Sequence, residues 1–151
     1  MDAAPRPFAD LPRDDELDVP VPFACGTGDP NARGPRPSAR VLDRRRVTQC
    51  ALSRVCGVCG SVLGRPLALL GTEREVGRNA FHFPPAHVAC AQALVAAYAG
   101  VTVPVLGQDD VPAAWRLVTT AGFEFVRPGR DDIDDRPTFQ PNSLLDDRRA
   151  G

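Results

Sequence analysis

Apolar and polar positions follow two different periods between residues 38 and 128, and each change of period marks an element. Val41, Leu42, Val47, Cys50, Ala51 and Val55 offer apolar side chains at helical spacing. With Ser38 or Asp43 as N-cap they predict a helix running to about Arg54. Arg44, Arg45 and Arg46 cover nearly a full turn of it, so at least one points away from any core. The run Leu67-Ala68-Leu69-Leu70 reads as a strand, and Gly71 and Gly77 bracket a polar turn over Thr72–Arg78. Ala80-Phe81-His82-Phe83 alternates like a returning strand. Pro84-Pro85 then opens a helix over His87–Ala99, because proline is tolerated where helical amides have no partner, and Gly100 closes it. Trp115–Thr120 and Phe123–Val126 read as a second hairpin, ended by Pro128-Gly129.

The two ends differ from this middle. Eight prolines within residues 1–38 and an acidic run, Asp14-Asp15-Glu16 with Asp18, predict an arm without helix. Only Val19-Pro20-Val21-Pro22-Phe23-Ala24 offers an apolar anchor, extended and laid across the core. From Asp131 the chain is acidic again, with residues 137–145 able to dock as a second strap. The organisation expected is therefore a Pro-rich acidic arm at 1–38, an α+β domain at 39–128 and an acidic tail at 129–151, both ends irregular. No apolar run reaches the ~18 residues that a membrane span needs. The N-terminus has no basic-then-apolar leader pattern, so a cytosolic location is expected.

Candidate chemistry changes this picture most at four residues. In Cys56-x-x-Cys59, two intervening residues let a tight turn aim both sulfurs at one ion, with Gly57 and Gly60 relieving crowding. His87 and Cys90 are i and i+3 at the start of the second helix, so they face the same way, where the helix dipole favours thiolate. Three thiolates and a neutral imidazole make a closed four-coordinate set for Zn²⁺, structural because no position is left for water. A Cys3His iron–sulfur site and a Cys56–Cys59 redox pair are the competing readings. Histidine is the less common ligand in the first, and no thioredoxin-like βαβ pattern surrounds the second. Knuckle, hairpin, then helix carrying two ligands resembles a treble-clef zinc finger across Val55–Gly100, with His87 where a second cysteine is usual. The resemblance implies an α+β fold of knuckle, β-hairpin and helix, to which the first helix and the C-terminal hairpin are additions.

Charge adds a second feature. The 18 basic side chains, all Arg, nearly balance 19 acids. Residues 1–30 hold two Arg and seven acids, residues 31–78 ten Arg and three acids, and residues 79–151 six Arg and nine acids. A basic middle thus lies between acidic ends. Arg33, Arg36, Arg40, Arg44, Arg45, Arg46 and Arg54 oppose only Asp43 there. These residues, Arg40, Arg44, Arg45, Arg46 and Arg54 above all, are candidates to dock a protein partner or nucleic acid, unless the acidic ends occupy them in cis. No aromatic residue interleaves with them, so base stacking is poorly supplied.

The alternative is an enzyme, nuclease-like or Cys-dependent, using His82 or Cys25. His-Asn-His endonucleases are relatives of the treble clef, and Asn79 and His82 lie on the hairpin. The helix histidine, however, is already committed to the Cys3His set, and no nucleophile, base and orienter stand at recognisable spacing. A non-catalytic module is the reading that the residues favour. Arg44–Gly60, Phe83–Cys90 and Trp115–Pro128 together resemble small uncharacterised actinobacterial proteins that pair an Arg-rich helix with these two cysteine motifs, and that resemblance implies no activity.

Overall fold

The structure is a computed structural model that describes residues 11–25, 37–111 and 114–150. Residues 1–10 and 26–36 of the expected arm, with Arg33 and Arg36, lie outside the described residues. The fold is mixed α+β. Helix α1 (Arg44–Ser53) starts where Asp43 accepts hydrogen bonds from the amides of Arg45 and Arg46, and it buries Val47, Cys50 and Ala51. Because Asp43 rather than Ser38 is the cap, Val41 lies before the helix and is 67% exposed, not in the core.

A four-stranded antiparallel sheet organises the rest, in the order β4-β3-β5-β8 (β3 Leu67–Gly71, β4 Ala86–His87, β5 Trp115–Thr120, β8 Leu144–Ala150). Every residue of β3 is buried, as an unbroken apolar run requires when both faces of a strand are covered. Helix α3 (Val88–Ala97) covers this sheet with Cys90, Ala91, Leu94 and Val95. Tyr98 at its end donates to the Pro20 carbonyl at 2.6 Å. That bond ties down the expected apolar anchor, where β1 (Arg13–Asp14) and β2 (Val19–Pro20) form a short antiparallel pair and Val19, Val21 and Ala24 are buried.

Three expectations about this region are corrected. Thr72–Arg78 is not a polar turn: α2 (Glu73–Arg78) forms there, because Thr72 accepts from the Glu75 amide while the Glu75 carboxylate accepts from the Thr72 amide. The strand returning against β3 is β4, which pairs Leu67 with His87, rather than residues 80–83. Phe81 makes only an isolated bridge to Phe139, and Phe81, His82 and Phe83 are all buried. The last helix also begins one residue later than expected, with His87 as its extended N-cap.

The C-terminal part differs more. β5 and β6 (Phe123–Val126) occupy the predicted positions but do not form a hairpin with each other. Both edges of β5 are taken, by β3 and by β8. A register shift at Thr119/Thr120, with Thr120 Oγ1 bonded to both polar groups of the Gly122 backbone, turns the chain away. β6 instead pairs with β7 (Thr138–Pro141). The segment expected as an irregular acidic tail therefore carries two strands, and its Phe139 is fully buried with ring centroids 5.7 Å from Phe123 and 5.1 Å from Phe125.

Candidate metal centre

Cys56 and Cys59 sit on a tight turn that follows α1 directly. Arg54 leaves the helix in the left-handed conformation, and a bridge between Val55 and Val62 closes the turn. Inside it the Cys56 amide donates to the Ser61 carbonyl at 2.8 Å and the Gly60 amide to the Cys56 carbonyl at 2.9 Å. Gly60 has φ +79°, and a Cβ there would stand 2.8 Å from the Phe23 ring. Phe23 belongs to a 3-10 turn (Phe23–Cys25) whose amides donate to Val58 and Gly57 carbonyls at 2.9 Å. The apolar anchor of the N-terminal arm thus buttresses the knuckle.

The other two donors arrive from the sheet. The Gly57 amide donates to the Pro85 carbonyl at 2.9 Å, bringing the start of β4 against the knuckle. His87 ends β4, and Cys90 lies three residues on, in the first turn of α3. One donor atom each from Cys56, Cys59, His87 and Cys90 fall within 4.8 Å of one another. His87 Nδ1 is 3.4 Å from Cys59 Sγ and 3.6 Å from Cys90 Sγ. This group can hold a metal ion.

Hydrogen bonding prepares it to do so. His87 Nε2 is 2.9 Å from the Val62 carbonyl, which can only accept. The ring proton therefore sits on Nε2 and leaves the Nδ1 lone pair facing the sulfurs, an orientation common to metal-binding histidines. Cys56 Sγ accepts from the amides of Val58, Cys59 and His87 at 3.3 to 3.4 Å. A bond from the Cys90 thiol, joined by these amides, outweighs burial and pulls the Cys56 thiol below its ordinary range. The same contact, with burial, pushes Cys90 up. The Val62 carbonyl carries no side-chain signature, so it was not visible in the sequence.

No protein-family model, curated protein or solved structure matches this chain.

The remaining candidates are placed apart. Cys50 and Cys25 are not in the four-residue group. Burial pushes Cys50 up to about 12 and raises Cys25 further, and Cys25 Sγ faces the Ala39 carbonyl at 3.8 Å. Neither carries the lowered pKa of an activated nucleophile. His82 Nδ1 lies 3.4 Å from the Pro137 carbonyl and Nε2 3.6 Å from Asp134 Oδ2, so both ring nitrogens face acceptors of its own chain.

The five candidate arginines divide by partner. Arg46 stacks on Phe23 at 4.3 Å and Arg54 on Phe123 at 4.7 Å. Arg40 pairs with Glu16 and Arg44 with Asp135 at 3.5 Å, in solvent-exposed contacts. Arg45 is exposed in the first turn of α1. Acids from both ends of the chain thus do reach the basic region. Among the described residues no helix is long and apolar enough to cross a membrane.

Proposed function

We propose that the chain is a zinc-stabilised, non-catalytic binding module of treble-clef type, which docks an acidic protein surface through the Arg40–Arg54 region. The donor group carries the reading. A tetrahedron with ~2.3 Å zinc–sulfur and ~2.1 Å zinc–nitrogen bonds has sulfur–nitrogen edges of about 3.6 Å. Two of the three sulfur–nitrogen edges, from His87 Nδ1 to Cys59 and Cys90 Sγ, are 3.4 and 3.6 Å and fit that value, and all four donor atoms lie within 4.8 Å of one another. Four protein donors leave no position for a substrate, so the zinc held by Cys56, Cys59, His87 and Cys90 supplies cross-linking and no Lewis-acid step. A hairpin whose second strand hands over to a ligand-bearing helix supports the treble-clef comparison, with α2 inserted between its strands.

The docking half rests on charge. The ion pairs of Arg40 and Arg44 among the described residues are with exposed acids, and such pairs contribute ~0–1 kcal/mol, so a partner's carboxylates can replace them. The rings nearest the patch, Phe23 and Phe123, are already covered by guanidinium groups and offer little for base stacking. This favours an acidic protein over nucleic acid.

Two measurements test the proposal. Metal analysis of untagged protein should give about one zinc per chain, and iron or no metal would overturn the zinc assignment. Fluorescence anisotropy with a labelled oligo-glutamate should show salt-sensitive binding that weakens in Arg44→Gln/Arg45→Gln. Tighter binding of an RNA or DNA oligonucleotide under the same conditions would overturn the choice of partner.

A further inference from the structure

A cleft of about 280 Å³ opens between the start of α1, the Gly107–Gln108 turn and the segment bearing Arg136 and Pro137. It lies at the small end of ligand sites, which run ~300–1,000 Å³. Its walls separate by chemistry. Val41, Leu42, Val47 and Pro137 form an apolar side, and Arg40 and Arg44 from one stretch of chain and Arg136 from another bring three cations. Among the described residues no acidic side chain lines it. Gln108 and the almost fully buried His82 complete the lining.

The three cations are not equivalent. Arg136 is fixed: it donates to Asp134 at 2.8 and 2.9 Å, to the Gly107 carbonyl at 2.7 Å and to Asp109 at 3.4 Å. Arg40 and Arg44 are only loosely held, by exposed Glu16 and Asp135, in pairs that water and salt screen. A cationic ligand would meet guanidinium groups in the wall itself, whose partner carboxylates Glu16, Asp135, Asp134 and Asp109 are not part of the lining. A neutral one would leave the guanidinium groups unused. An anion gains charge-assisted hydrogen bonds from Arg40 and Arg44, in exchange for weak contacts.

We propose that this cleft binds a small organic anion, a carboxylate or phosphate monoester on a short apolar body. The head lies between Arg40 and Arg44 and the body lies along Leu42, Val47 and Pro137. The site is separate from the metal centre, and because it shares Arg40 and Arg44 with the proposed docking surface, a docked acidic partner and the anion would compete.

The test is isothermal titration of the full, metal-loaded chain at low salt with hexanoate and hexyl phosphate, against hexanol, hexylamine and inorganic phosphate. At least one organic anion should bind saturably, one per chain, and a preference between the two identifies the head. Arg40→Gln/Arg44→Gln should weaken it by about tenfold or more. Arg45→Gln, beside Arg44 in the first turn of α1 but outside the cleft, should change it less than twofold. Equal loss in Arg45→Gln would mean diffuse attraction and overturn the site. Inorganic phosphate binding as tightly as hexyl phosphate would remove the apolar wall from the argument. Absence of saturable binding by either anion at millimolar concentration would overturn the proposal. All three substituted arginines are exposed, and coincident thermal melts of the variants establish that folding is intact.

Discussion

Gly60 and Glu75 show how much a single residue holds here. At φ +79°, with the Phe23 ring in the way of a Cβ, Gly60→Ala introduces backbone strain and a clash together. Urea unfolding with excess metal should show a loss of roughly 1–3 kcal/mol; a loss below about 0.5 kcal/mol would mean that the knuckle relaxes. The buried Glu75 carboxylate accepts from the Thr72 amide, the His82 amide and the Gln108 side chain. Glu75→Ala strands all three donors and should cost about 2–4 kcal/mol by the same measurement. The four candidate metal donors were legible because two cysteine-type pairs at fixed spacing are rare in any other role. The residues that support them were not, since a carbonyl such as that of Val62 is available from every residue and only the fold selects one. Cys56→Ser should therefore abolish bound metal, measured by mass spectrometry, whereas Cys50→Ser should leave the stoichiometry unchanged.

At the scale of elements, caps were readable in part and strand partners were not. Asp43 was one of two caps, with Ser38, that the sequence offered for α1; the fold uses Asp43, and Asp43→Ala should cost about 1 kcal/mol in thermal or urea unfolding. The Thr72/Glu75 capping box was equally present in the sequence, but two glycines made the segment read as a turn. The strand near residues 67–70 follows from an unbroken apolar run, and those at 115–120 and 123–126 from local alternation. Their pairing does not, because β5 finds neighbours at residues 67–71 and 144–150 that its own pattern cannot specify. Phe139 illustrates the difficulty, a core ring carried in a strongly acidic stretch.

That stretch is held electrostatically, and its pH response has a definite sign. The Arg136 guanidinium beside Asp134, with its backbone amide and His82 adding to it, holds the Asp134 carboxyl well below its ordinary 3.8 despite partial burial. Burial raises Asp14, but hydrogen bonds from the amides of Ala39, Leu17 and Glu16, with Arg40, outweigh it and leave that carboxyl lowered too. A lowered carboxylate stabilises the fold above its unfolded pKa, and the contribution is lost as pH falls through the folded one. Stability should decline below about pH 4, and Asp134→Asn should make the decline shallower in urea midpoints measured from pH 5 to pH 2.

For the whole molecule the expected α+β class stands, while the irregular C-terminal tail gives way to strands that complete the sheets. The zinc reading makes the metal a whole-molecule constraint, because its donors join α1's end, the knuckle, β4 and α3. Removing it with a strong chelator should lower the melting temperature by at least about 10 °C. A melting curve unmoved by chelation would leave the sheet and its apolar core sufficient on their own.

The order of strands also governs how fast the chain can find its fold. Leu67 pairs with Thr120, so the central contact of the sheet must close a long loop before it gains anything. A metal bound early by Cys56, Cys59, His87 and Cys90 gathers β3, α2 and β4 beforehand, leaving β5 to add to an edge already formed. Refolding followed by the fluorescence of Trp115, the single tryptophan, which lies in β5, should be several-fold faster with metal than without.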